Sequence, residues 1–226
     1  MLENVVSTAG WADELRVWWT VSGMLVLLMQ LGFIYLEMGC VRPEDRAGIA
    51  VKNVAMLLSS TLAYLLVGFR LMYGDSVGGV FGWEGDPSSH TGVHQAFEWV
   101  FLQVGFAAVA ATIVSGALAG RTTLISNLVI AGLIGGLVFP LYGHWVWGTG
   151  FLSEDVQDFA GSGAVHFLGG MVALVAARIA GPRKYRTTEA GEELRDMPTA
   201  TVGVVLLWIG WIGFNGGSVT PELLIK

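Results

Sequence analysis

The sequence predicts an all-α membrane protein with six transmembrane helices, and three features carry that expectation. The chain of 226 residues is 54% hydrophobic and 13% charged, against about 25% charged in an average soluble domain, and its mean hydropathy is +0.62. Its apolar residues fall into six runs, each near the ~20 residues needed to cross a bilayer. Glycine, at 32 of 226 residues, is about twice its usual frequency of roughly 7%. Helices in lipid gain little from the hydrophobic effect and need small residues to bring backbones together. Gly116/Gly120 and Gly132/Gly136 have the four-residue spacing of such contact faces.

The expected spans are 16–40, 49–73, 96–119, 124–148, 160–181 and 198–217, the last interrupted near its end by FNGGSVTP. None alternates with the two-residue period of a barrel strand. Basic residues set the direction. Arg42, Arg46 and Lys52 follow the first span, Arg121 the third, and Arg178, Arg183, Lys184, Arg186 and Arg195 the fifth. Arg16, Arg70 and Lys226 lie on the other side, which also carries Asp75, Glu84, Asp86, Glu98, Glu154 and Asp155. The N-terminus is therefore expected outside and the basic loops in the cytoplasm. The segment 181–198 reads as a polar connector between spans five and six. The first fifteen residues lack the basic and small-residue signature of a cleaved signal. A single cysteine, Cys40, excludes an intrachain disulfide and is expected to be a buried, inert thiol.

An ionisable residue inside a span is a candidate functional group. Here these are Glu37, Arg70, His144, Asp158 and His166. Glu37 and Arg70 lie near span ends, where a local partner or a reach to the interface suffices. Asp158 stands where the cap of the fifth helix belongs, but the cap does not explain why the chain then turns so small, in AGSGA. His166 follows eight residues later, about 12 Å along an ideal helix. A neutral imidazole at that depth can both donate and accept a hydrogen bond, which suits a small solute. Phe101, Phe106, Trp145, Trp147, Phe159, Trp208, Trp211 and Phe214 gather towards one end of the spans. Such belts are ordinary at interfaces, although an indole face also attracts a desolvated cation.

Six collinear stretches resemble the ammonium transporter (Amt/Rh) family. They are LVLLMQLGFIYLEMGCVR, VGFRLMYG, FLQVGFAAVAATIVSGALAGR, HWVWGTGFL, DFAGSGAVHFLGGMVALVAARIAGPRK and IGWIGFNGGS. The resemblance implies one transporter-like transmembrane domain over 1–226. It corresponds to the first half plus one helix of a fold of roughly eleven helices with inverted halves. It also implies roles. Phe106, Trp147 and Ser218 match an outer ammonium site, and Phe106 and Phe214 match paired rings that gate it. Asp158 matches an acidic support beneath the site, and His166 matches a pore histidine. Ammonium would bind between the rings, lose a proton and pass on as ammonia. Potassium, which has no proton to lose, would be stripped of water with nothing to replace it. The family further implies a homotrimer in the inner membrane, no cofactor, and a second half supplied beyond these residues or by another polypeptide.

A receptor is the main alternative, since some relatives join a transporter-like domain to a cytoplasmic signalling domain. Ser162 and His166, four residues apart, invite a hydrolase, but no oxyanion donors or orienting acid accompany them. Asp86, His90 and His94 have a weak metal-like spacing in a loop of Gly, Ser and Pro. No basic patch suits nucleic acid.

Overall fold

The computed structural model describes residues 8–85, 97–183 and 196–219. Among the described residues, six helices are long and apolar enough to cross a membrane: Glu14–Gly39, Pro43–Tyr73, Phe97–Leu118, Leu124–Val146, Phe159–Ala180 and Met197–Gly217. All six expected spans are present, the second starting earlier than the sequence suggests. The possible metal cluster at Asp86, His90 and His94 lies outside the described residues.

The first span is one unbroken helix, α1 (Thr8–Gly39). The second comprises α2 (Arg46–Ala63), a π-helical turn (Tyr64–Gly68) and α3 (Phe69–Tyr73). A small antiparallel hairpin follows, β1 (Asp75–Val77) with β2 (Phe81–Glu84). The third span is α4 (Phe97–Leu118). The fourth repeats the pattern of the second, with α5 (Leu124–Leu133), a π turn (Ile134–Val138) and α6 (Phe139–Val146). The fifth starts with a 3-10 turn (Phe159–Gly161) and a π turn (Ser162–Phe167) before α7 (Leu168–Ala180), and α8 (Met197–Gly217) is the sixth.

Helix α4 is the centre of the packing, with Leu102, Phe106, Ala107, Val109, Ala111 and Val114 all buried. Its alanines let α1, α2 and α7 approach closely. Helices α1 and α4 run parallel in a steady register: Trp19 meets Trp99, Val26 meets Gly105, Gln30 bonds Thr112 and Glu37 bonds Ser115. Helix α8 lies antiparallel to α1 on a glycine seam. A Cβ on Gly203 would lie 2.6 Å from the Gly32 carbonyl oxygen, and one on Gly213 would lie 2.8 Å from that of Ser22. Gly132 and Gly136 pack against Ser59 and Ala63 of α2. Of the other glycine pair, Gly116 faces Glu37, whereas Gly120 lies past the end of α4 with a positive φ of 69°.

Two placements differ from expectation. Lys52 is not a loop residue: it lies within α2, 6% exposed, and its Nζ donates to Glu37 Oε2 at 2.9 Å and to the Ser115 carbonyl at 2.9 Å. Asn53 Nδ2 and Ser115 Oγ donate to the same carboxylate, at 3.1 and 2.9 Å. The helix starts early because Pro43–Asp45 forms a 3-10 turn leading into it, with Arg42 paired to Glu44 and Asp45. That local pairing also accounts for the acidic RPED turn. Cys40 is exposed rather than buried, because it lies just past the end of α1.

Asp196 caps α8, accepting from the Thr199 N–H at 3.0 Å and pairing with Arg46 at 3.1 Å. These partners, the Thr199 bond foremost, hold its carboxyl below its ordinary range. A folded-state pKa below the unfolded value contributes stability above the unfolded value, near 3.9 for Asp, that is lost as pH falls through the folded one. Amides in the first turn of α8 are therefore expected to lose exchange protection on acidification below about pH 4, and Asp196→Asn should remove that acid dependence.

Candidate functional site

The site forms where the fifth span breaks. Ala160 and Gly161 both take left-handed backbone angles, φ 56° and φ 71°. The second is natural for glycine, while the first costs an alanine about 1–2 kcal/mol. The helix restarts at Ser162, and Asp158 holds the restart. Its carboxylate accepts from the N–H groups of Gly163 (3.1 Å) and Ala164 (2.7 Å) and from Ser162 Oγ (3.0 Å). Asp158 thus caps the helix beyond the break, reaching past the 3-10 turn it adjoins. Ser162 is spent on this bond rather than on His166, so the pair does not have the nucleophile–base geometry of a hydrolase.

The break also gathers the other candidates. Trp147 donates its indole N–H to the Asp158 carbonyl at 2.8 Å. A Cβ on Gly161 would lie 3.2 Å from the far edge of the Trp147 ring. From Trp147 a column of rings descends: Phe106 at 6.2 Å between centroids, Phe214 at 4.3 Å from Phe106, and His166 at 5.2 Å from Phe214. Trp211 also stacks on His166, at 6.0 Å and 20° between planes. Phe106 and Phe214 are buried and close the column, whereas His166 is half-buried. The ideal-helix separation assumed between Asp158 and His166 does not apply across the break, and Gly161 links the two regions instead.

Two hydrogen bonds define what the polar groups can offer. His166 Nδ1 lies 3.2 Å from the Gly161 carbonyl, which can only accept, so Nδ1 carries the proton. In the neutral ring, Nε2 is then a free lone pair. Ser218, one turn past Phe214 at the end of α8, donates its hydroxyl to the Phe214 carbonyl at 2.8 Å. Its oxygen therefore keeps acceptor capacity for an N–H donor.

His144 is fully buried but structural. Its Nδ1 meets the Met72 carbonyl and its Nε2 meets Ser76 Oγ, both at 2.9 Å, tying β1 to α6. Sequence reasoning missed Phe139 and Tyr64, which stand behind Trp147 at 6.4 Å and then 5.8 Å. Each borders a π turn, and no local pattern marks either. It also missed the Lys52 network, although Lys52 stands three residues past Ile49, inside the expected second span. At the opposite end of α1 and α4 lies a cavity of about 310 Å³, lined by Glu37, Thr112, Cys40 and Arg183 among apolar side chains. Among the described residues no group of three or more His, Cys, Asp or Glu could hold a metal ion.

Comparison with known proteins agrees with this architecture. The family model described as Ammonium Transporter Family matches residues 17–225. Ammonium transporter Amt2 of Archaeoglobus fulgidus is 39% identical over 220 residues, covering 89% of this chain and 47% of its own. A putative ammonium transporter of Synechocystis is 40% identical over 210 residues, covering 87% of this chain and 47% of its own. A solved sensor Amt protein superposes with a TM-score of 0.82 at 35% identity, over 92% of this chain and 56% of its own. Mep2 of Candida albicans superposes with a TM-score of 0.75 at 26% identity, over 90% of this chain and 48% of its own. The chain thus spans about half the length of the curated relatives it matches. With six membrane helices in the family's arrangement, it is an integral membrane protein and belongs to the ammonium transporter family.

Proposed function

We propose that the chain conducts ammonium nitrogen across the inner membrane. Ammonium binds between Phe106, Trp147 and Ser218, gives a proton to water at that site, and passes as ammonia between Phe106 and Phe214 to His166; current arises where that proton crosses separately. The observation that carries this reading is the continuous column Trp147–Phe106–Phe214–His166. Its upper rings attract a desolvated cation, and the Ser218 oxygen accepts one of its N–H bonds. Asp158 supports the site by fixing both the Trp147 indole and the restarted helix. Below the rings, a cation finds no replacement for its hydration shell, whereas neutral ammonia can donate to His166 Nε2. Phe106 and Phe214 must part for each passage. In this reading the Trp147 end faces outward with the N-terminus, the basic end faces the cytoplasm, and three copies assemble in the bilayer.

The test is methylammonium uptake and ammonium-evoked current in proteoliposomes holding the full-length protein. Trp147→Leu should raise the KM about 30-fold if the indole supplies roughly 2 kcal/mol of cation binding. Flux that is absent in the parent protein, or a KM indifferent to Trp147, would overturn the proposal. A second reading is an ammonium sensor, favoured by the close superposition on the sensor Amt protein. Binding that depends on Trp147 with no accompanying flux is its signature.

A further inference from the structure

We infer that Trp19, Ser22 and Gln103 form a buried subsite for one neutral, water-sized hydrogen-bonding molecule, either water or ammonia, bordering the aromatic column. The three side chains are 3%, 0% and 1% exposed, and Trp19 Nε1, Ser22 Oγ and Gln103 Oε1 each lack a hydrogen-bond partner. Buried polar atoms are rarely left so, and three in one layer ask for a shared partner.

The register of the helices brings them together. Trp19 of α1 packs edge-on against Trp99 of α4, with ring centroids 5.3 Å apart. Ser22 is one turn further along α1, and Gln103 one turn further along α4. A Cβ on Gly217 would lie 3.0 Å from both Ser22 Oγ and Leu102 Cδ2, so the end of α8 closes the same layer. Trp99 is already engaged by Tyr73 and does not belong to the set. The layer adjoins the proposed ammonium site on two helices. Phe106 is the next turn of α4 after Gln103, and Ser218 follows Gly217.

The polarity of the three atoms selects the ligand. The indole N–H can only donate, the amide oxygen can only accept, and the hydroxyl does either. An ammonium ion, donating on every side, would oppose the indole N–H, and an anion would oppose the amide oxygen. A small neutral molecule that both donates and accepts satisfies all three. Water and ammonia share that chemistry. The presence of ammonia there would rest on the function proposed above, whereas the existence of the subsite does not.

The experiment uses Ser22→Ala and Gln103→Met in the full-length protein in detergent, with thermal unfolding as one readout. The second readout is the Trp19 indole N–H resonance, assigned by its loss in Trp19→Phe. If the subsite is filled, each variant lowers Tm, because its partner molecule loses a bond, and Ser22→Ala moves the Trp19 signal upfield. If the groups are dry, deleting one removes a buried unpaired atom. Tm then rises or holds and the indole signal stays, which overturns the inference. Titration with ammonium chloride at neutral and alkaline pH separates the two ligands. Ammonia is assigned if the parent Tm rises with the ammonia fraction, the rise persists in Trp147→Leu and it is lost in Ser22→Ala. Water is assigned if both variants lower Tm with no ammonia dependence. Failure of ammonium flux would sink the transport reading while leaving the Tm and indole results to stand or fall alone.

Discussion

Replacing Lys52 with methionine is expected to destabilise the protein by about 3–5 kcal/mol, the range seen when one partner of a buried ion pair is removed. Glu37 is 7% exposed and holds its charge with three donors: Lys52, Asn53 and Ser115. Without the lysine, two neutral donors face a carboxylate in a low-dielectric interior. The carboxylate is then left without its cationic partner. The carbonyl of Ser115 would lose a donor as well. Against a total stability of typically 5–15 kcal/mol, the loss is severe.

Because methionine matches the lysine stem in length, little of the effect comes from packing. The double variant Glu37→Gln/Lys52→Met should therefore recover most of the loss, since a neutral isosteric pair escapes the desolvation cost altogether. Unfolding by denaturant in detergent is the measurement. A single-variant cost below about 1 kcal/mol, typical of a surface pair, would show that water reaches the network. Ammonium KM should hardly change, because the pair is tied to α1, α2 and α4 at the opposite end from Trp147.

The fate of Lys52 shows where sequence reasoning stops. Counting basic residues treats a lysine near a loop as solvated, and nothing within α2 signals that Glu37, 15 residues earlier on another helix, will receive it. The spans themselves were legible because bilayer thickness imposes length and apolarity on each one separately. The role of Asp158 as a cap was also legible, since capping is local. The left-handed Ala160 was not: alanine is ordinarily a helix former, and its strain is imposed by what surrounds it. The π turns that begin at Tyr64 and Ile134 were equally hidden. There, Gly68 packs closely against Gly135 and Gly135 against Ser60, and both contacts join different stretches of chain. The column from Trp147 to His166 draws on four spans, so neither periodicity nor spacing could assemble it. Only the resemblance of its flanking motifs to a known family pointed there.

A second large effect is expected at Gly161, where backbone and site meet. Gly161→Val puts a β-branched residue at φ 71°, in the left-handed region, at a cost of about 1–2 kcal/mol. Its Cβ would also lie 2.8 Å from Val165 Cγ2 and 3.2 Å from the Trp147 ring, and overpacking of this kind costs roughly 1–3 kcal/mol more. Val165 is fully buried and cannot retreat. Trp147 is held at its N–H by Asp158 and flanked by Phe106 and Phe139, so it too must be displaced rather than merely rotated. Part of the strain is therefore expected to appear as weaker binding at the proposed ammonium site. The Gly161 carbonyl that fixes the proton on His166 Nδ1 moves with the same backbone. Gly161→Val should accordingly lower Tm and raise the ammonium KM together, whereas Lys52→Met lowers Tm alone. Gly161→Ala should show the same pairing at smaller amplitude, keeping the backbone strain and the Cβ contacts but lacking the branch. A Gly161→Val protein with reduced Tm and an unaltered KM would mean that the indole at 147 is not fixed by the break in the fifth span.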